Sequence, residues 1–213
     1  MSYYSHIIWD FNGTLLDDVD AGIRSINTLL NRRRMRPIAS ADEYRTLFHF
    51  PIKDYYRSLG FDFDKEPYEK LAVEWVAEYR REAARAALQP DAGDLLQYIK
   101  ERNFRQILLS ATELQMLRRQ TDALCITEFF HLILGLDNIH AASKIDLALT
   151  WKEQEQPHRM LLIGDTDHDA DTARALGADC ILTAIGHQSA EHLKSCGAQA
   201  VTTSLKDLYP YIR

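Results

Sequence analysis

Cysteine is scarce in this 213-residue chain, and nothing pairs the few that occur. Cys125, Cys180 and Cys196 are odd in number and form no C-x-x-C, which fits reduced thiols in a cytosolic protein, packed mostly as small hydrophobes. No apolar run approaches the roughly 18 residues of a membrane span, and the N-terminal stretch lacks a basic-then-apolar signal pattern. No membrane association is therefore expected, and the expected location is the cytoplasm. Neither G-x-G-x-x-G nor G-x-x-x-x-G-K occurs, so dinucleotide and P-loop readings lack their phosphate cradles. Positive charge is also short: the net charge of −6 argues against a general nucleic-acid binder, and any anionic ligand must be held by a local cationic or amide-lined pocket. Internal repeats and low-complexity segments are absent.

The remaining composition, 46% hydrophobic and 26% charged, is that of an ordinary globular protein long enough for one sizeable core and a small accessory domain. Short apolar runs recur at His6–Trp9, Gln106–Leu109, His131–Leu134, Met160–Ile163, Cys180–Leu182 and Ala200–Thr202. Helical patterns lie between them, so the fold class is α/β, a Rossmann-like doubly wound parallel sheet covered on both faces. The alternation breaks once, in a long helical interval after the first strand. There Val19, Ile23, Ile26 and Leu30 keep helical spacing, and the helix closes on Arg32, Arg33 and Arg34. Three cations in a last turn complement the helix dipole and read as a solvated terminus. Further helices are expected near Ala41–Leu47 and Ile52–Leu59, then a long one with Leu71, Trp75 and Tyr79 on a packing face. Residues 17–87 thus form a predicted helical domain inserted into a sheet domain of residues 1–16 and 88–213, with Pro90 marking the return.

Four pieces at strand ends carry chemistry. Asp10 follows the first apolar run and precedes Asn12-Gly13-Thr14-Leu15, placing a carboxylate at a strand tip, where it can serve as a nucleophile or as a ligand for a hard cation. Ser110-Ala111 follows the second run; a hydroxyl with adjacent backbone N–H groups grips a phosphoryl oxygen, although Ser110 serves equally well as the N-cap of a helix beginning near Thr112. Ser143 is the predicted N-cap that puts Lys144 in a first helical turn, where a cation opposes the dipole by roughly 0.3–1 kcal/mol unless something anionic lies nearby. Last, Asp165, Asp167, Asp169 and Asp171 crowd one strand-to-helix junction. First-turn acids account for Asp167 and Asp171, but not for Asp165, which follows its strand as Asp10 does. Two carboxylates at neighbouring tips need a cation between them, and oxygen-only donors point to Mg²⁺. His168, alone in a polar loop, reads as a bystander.

Taken in order, Asp10, Ser110, Lys144 and Gly164-Asp165-x-x-x-Asp169 resemble the four motifs of the haloacid dehalogenase superfamily, and the helical insert is similar to the type-1 cap of its phosphoglycolate-phosphatase-like and phosphoglucomutase-like members. The resemblance implies a Mg²⁺-dependent phosphomonoesterase acting on a small phosphorylated metabolite, as monomer or homodimer. It implies that Asp10 attacks phosphorus and that Mg²⁺ is held by Asp10, the Asn12 carbonyl, Asp165 and Asp169. Ser110, Ala111, Gly13 and Lys144 would hold the phosphoryl oxygens. The sequence departs from the motif at Asn12, where the family carries the aspartate that protonates the leaving alcohol. An amide supplies no proton, and loss of a general acid costs about 10²–10⁴-fold. Three outcomes follow: substrates that need no proton, such as acyl or aryl phosphates; replacement of the acid by a cap residue, with His49 the candidate; or slow turnover in a phosphate-binding or phosphoaspartyl protein. A mutase-type phosphotransferase is a further alternative. The turn around His49 and Lys53 is where recognition is expected by analogy.

Overall fold

The computed structural model describes residues 4–136 and 143–212. Its centre is a strand of four residues, β1 (His6–Trp9), with every side chain buried. Two-residue periodicity sends Ile7 and Trp9 into one apolar cluster and Ile8 into another on the opposite face. Truncating a side chain so enclosed, Ile8→Ala for example, costs about 2–5 kcal/mol.

Around β1 a short ribbon strand β2 (Leu16–Asp17), helices α1 (Val19–Arg32), α2 (Ala41–Leu47), α3 (Ile52–Ser58) and α4 (Tyr68–Ala83), and a second ribbon strand β3 (Ala87–Leu88) come first in the chain. Then follow α5 (Ala92–Glu101), β4 (Arg105–Glu113), α6 (Leu114–Ala123), β5 (Leu132–Leu136), α7 (Lys144–Glu155), β6 (Met160–Gly164), α8 (Asp167–Leu176), β7 (Asp179–Thr183), α9 (Ala190–Lys194), β8 (Ala200–Thr202) and a 3₁₀ segment, Leu205–Tyr211. The six-stranded sheet is wholly parallel, in the order β5-β4-β1-β6-β7-β8. Strand order therefore reverses at β1, and the crevice beyond its C-terminal end is where such sheets bind ligands. Helix α5 and the 3₁₀ segment cover one face, and α7 and α8 the other. No helix among the described residues is long and apolar enough to cross a membrane.

Helices α1–α4 build a third apolar cluster of their own from Ile26, Leu29, Leu30, Tyr44, Tyr55, Tyr56 and Leu71, among others. The chain enters and leaves this layer through β2 and β3, which pair antiparallel, Leu16 opposite Leu88 and Asp17 opposite Ala87. The proposed boundaries at 17 and 87 fall inside this ribbon, which is too short to leave a periodic trace in sequence.

Two local expectations are corrected. Arg32 and Arg33 do not simply face solvent: Arg33 grips Glu66 with Nε and Nη2 at 2.6 and 2.9 Å and reaches Glu74 at 2.6 Å, while Arg32 meets Glu74 and Glu78 at 2.7 and 2.8 Å. These pairs tie the end of α1 to α4 and hold Glu66 down at about 2, through hydrogen bonds from Arg33 and then Lys70. Ser110 is not a helix N-cap either, since the helix expected near Thr112 begins at Leu114. Strand β4 continues to Glu113, whose side chain caps α6 by accepting from the Gln115 and Met116 N–H groups.

Candidate active site

Each motif residue reaches the crevice for a local reason. The Asp10 N–H donates to the Ile163 carbonyl at 2.9 Å, so Asp10 still belongs to the β1–β6 ladder and its carboxylate stands at the sheet edge. The chain then turns at Gly13, whose φ of +75° suits glycine, and a side chain there would collide with the Asp165 carboxylate. Thr14, fully buried, donates its hydroxyl to Asp165 Oδ1 at 3.0 Å. Ser143 and Asp146 form a capping box that fixes Lys144 as the first residue of α7. Asp169 occupies the third position of α8, where its Oδ2 accepts from the Thr166 N–H, the Thr166 hydroxyl and the Asp165 N–H at 3.0, 2.7 and 3.2 Å.

Asp10, Asp165 and Asp169 are all buried and each offers an oxygen within 4.8 Å of the others. Lys144, itself only 3% exposed, bridges two of them, joining Asp10 Oδ1 and lying 2.5 Å from Asp169 Oδ1. Burial, reinforced by the neighbouring carboxylates, pushes Asp10 well above the usual carboxylate range, with Lys144 opposing. Burial likewise raises Asp165 to about 6, against the pull of His187. At Asp169 the burial penalty is outweighed by Lys144 and the Thr166 hydroxyl, and its carboxyl is held low. Lys144 is kept charged despite burial by Asp10 and Asp169. Three carboxylates against one ammonium leave negative charge uncompensated, and all the available donors are oxygens. That set fits a hard divalent cation.

Asn12 is held on all sides. Its Nδ2 donates to Asp18 Oδ2 at 3.0 Å and to the Tyr79 hydroxyl at 2.6 Å; its Oδ1 accepts from the hydroxyls of Thr112 and Ser110 at 2.8 and 3.4 Å. Asp18 stands at the N-cap of α1 but gives its carboxylate to the Asn12 loop instead. It accepts from the Gly13 N–H at 2.7 Å, the Tyr79 hydroxyl at 2.5 Å and His187 Nε2 at 3.2 Å. Burial works against the charged forms of both members of the Asp18–His187 pair, yet their mutual attraction prevails, lowering Asp18 and raising His187 to about 9. His187 also donates its N–H to Asp165 Oδ2 at 2.7 Å and meets the Tyr44 hydroxyl of α2 at 3.0 Å.

The structure thus brings together Asp10, Asn12, Gly13, Ser110, Lys144, Asp165 and Asp169, with Ala111 exposed beside the buried Ser110. Of the acids read as first-turn residues, Asp167 accepts from Gln188 and meets His192, and Asp171 pairs with Arg174. His49 does not join the group: its Nδ1 lies 2.8 Å from the Leu47 carbonyl and its ring faces Tyr55. Lys53 is directed over the rings of Phe63 and Tyr68. His168 is less solvated than expected, stacking on Phe50 with ring centroids 5.0 Å apart. The residues that sequence reasoning missed are Asp18, Tyr44, Tyr79, Gly186 and His187. A glycine-histidine pair just past the β7 tip and one more acid after the Gly13 turn were the local signs of them.

Comparison with known proteins agrees with this geometry. Residues 7–183 match the family model described as haloacid dehalogenase-like hydrolase. The chain is 26% identical over 200 residues to the tyrosine-protein kinase PtkA of Mycobacterium tuberculosis, covering 92% of this chain and 67% of that protein. It is 23% identical over 211 residues to the phosphoglycolate phosphatase of Caulobacter vibrioides, covering 95% and 88%. Among solved structures, a haloacid dehalogenase-like family hydrolase from Streptococcus pneumoniae superposes with a TM-score of 0.83 at 19% identity, over 99% of both chains.

Proposed function

We propose that this chain, which belongs to the haloacid dehalogenase-like hydrolase family, is a Mg²⁺-dependent phosphomonoesterase of modest efficiency that works on a small phosphorylated compound through Asp10. The observation carrying this reading is the buried Asp10–Asp165–Asp169 cluster bridged by Lys144 at the point where strand order reverses.

In this reading Asp10 attacks phosphorus in line with the leaving oxygen, and the resulting aspartyl phosphate is cleaved by water. Lys144 faces the transferring group with a fixed ammonium, and Ser110 presents a hydroxyl beside it. Both are in place before reaction, so little reorganisation is needed as charge develops. Asp10, the Asn12 carbonyl, Asp165 and Asp169 would hold Mg²⁺, which supplies charge neutralisation between carboxylate and phosphoryl group. Thr14, His187 and the Thr166 cap keep the two further aspartates in position.

A second reading, transfer of the phosphoryl group to an acceptor hydroxyl instead of water, is favoured by the similarity to a protein named tyrosine-protein kinase. A phosphate-binding protein with little turnover is the remaining alternative. The deciding measurement is phosphate release with and without Mg²⁺, for the natural chain and for Asp10→Asn. Release should require Mg²⁺ and vanish in the variant; activity that survives Asp10→Asn would falsify the nucleophile.

A further inference from the structure

We infer that the leaving group this site accepts is an aryl oxide: the substrate class is small aromatic phosphate monoesters. The inference rests on the phosphomonoesterase reading and narrows it.

The first observation concerns the proton. An alkyl phosphate leaves as an alkoxide unless an acid protonates it, and position 12 holds an amide. That amide is not free to recruit a donor, because both its ends are engaged: Nδ2 by Asp18 and Tyr79, Oδ1 by Thr112 and Ser110. The Tyr79 proton is itself committed to the Asp18 carboxylate at 2.5 Å. The leaving oxygen must therefore depart carrying its own charge. An aryl oxide does so readily, since phenols such as tyrosine ionise near 10. Atoms balance without a donor. An Asp10 oxygen bonds to phosphorus as the phosphorus–aryl-oxygen bond breaks, and the electron pair stays on the aryl oxide. Water then cleaves the aspartyl phosphate, its protons ending on inorganic phosphate.

A second, independent observation selects aryl over acyl phosphates. Two aromatic pairs, one within the helical layer and one joining it to α8, stand on opposite sides of β1. On the β4 side Trp75 stacks on Tyr79, centroids 4.9 Å apart and nearly coplanar at 11°, against Met116 of α6. On the β6 side Phe50 stacks on His168, 5.0 Å apart, in the first turn of the helix that carries Asp169. Trp75, Phe50 and His168 are only half-buried, so ring faces and edges remain available to a flat partner. The nearby cap cations are occupied elsewhere: Arg45 donates to the Gly186 and Ile185 carbonyls at 2.9 and 3.2 Å, and Lys53 covers Phe63 and Tyr68. Neither reads an acidic leaving group.

The test is a leaving-group series: substituted phenyl phosphates, acetyl phosphate, and small alkyl and sugar phosphates, assayed with the natural chain, Phe50→Ala, Trp75→Ala and Asp10→Asn. We expect kcat/KM to fall steeply as the phenol becomes less acidic, with alkyl esters ~10²–10⁴-fold below the aryl ones. The aryl-over-acetyl preference should drop at least about tenfold in Phe50→Ala or Trp75→Ala, mainly through KM. Alkyl esters turned over within about tenfold of aryl esters would overturn the inference, as would acetyl phosphate preference indifferent to both aromatic substitutions. In either case Asp10-dependent release would leave the phosphomonoesterase reading standing. Release from no compound, or release that Asp10→Asn retains, would sink both.

Discussion

Asn12 hands its amide nitrogen to Asp18 across 3.0 Å, so the amide at position 12 and the carboxylate at position 18 depend on each other. Replacing Asn12 by aspartate sets a second, half-buried carboxylate against the buried Asp18 and removes the donation to both Asp18 and Tyr79. We expect Asn12→Asp to lose about 1–3 kcal/mol at neutral pH. Adding Asp18→Asn should recover most of it, because an asparagine there still accepts from Gly13 through Oδ1 while its nitrogen donates to the new aspartate. Thermal melting of both single variants and the double variant measures the coupling. The double variant, which again carries an ionisable group beside the leaving oxygen, should also gain alkyl phosphate turnover, by up to ~10²-fold.

Among the described residues, Lys144 is the one whose cationic side chain bonds directly to the three-carboxylate cluster. Lys144→Met leaves Asp10, Asp165 and Asp169 uncompensated and should cost about 3–5 kcal/mol in metal-free buffer. Because the remaining site is more negative, added Mg²⁺ should raise the melting temperature of the variant more than that of the natural chain. An equal or smaller shift would mean that the carboxylates do not share the ion.

Gly186 lies against Asp165 so closely that a Cβ would overlap its carboxylate. Gly186→Ala must move either Asp165 or the loop that carries His187. A displacement of about 1 Å in such a constellation costs ~10²-fold in turnover. Phosphate-release kinetics should register that loss with only a modest fall in melting temperature.

The Arg33–Glu66 pair gives a pH signature far from the cluster. Glu66 titrates at about 2 in the fold, against 4.5 for the ordinary side chain. A depressed carboxylate contributes its stability above the unfolded value and loses it as pH falls through the folded one. The melting-temperature gap between the natural chain and Arg33→Gln should therefore be full at neutral pH, narrow below about 4.5 and close near 2. Both side chains are partly exposed, so the gap should be small and shrink with salt.

Much of the sheet, and the residues gathered at its strand tips, were legible because each part is written locally. An apolar run ending in aspartate marks a strand tip, and Ser143 three residues before Asp146 marks the cap that aims Lys144. The surroundings of Asn12 were not legible. Tyr79 and His187 are separated from it by most of the cap or most of the core, and a tyrosine on a helical packing stripe carries no sign that its hydroxyl reaches a distant loop. Arg32 and Arg33 were misread for the same reason, since Glu74 and Glu78 lie on a different helix and Glu66 in the turn just before it. Asp18 was visible, but only as another acid after a turn; that it would leave its own helix uncapped to serve Gly13 and Asn12 is a tertiary choice.

The zipped linkers, Leu16 against Leu88 and Asp17 against Ala87, bear on how a chain of this kind diversifies. A stretch whose two ends emerge side by side is transplantable: a longer, shorter or differently shaped insert fits the same gap without retuning the parallel strands. The residues gathered at the strand tips and the helical layer inserted beside them thereby become separately exchangeable parts of one polypeptide, free to be inherited in new combinations.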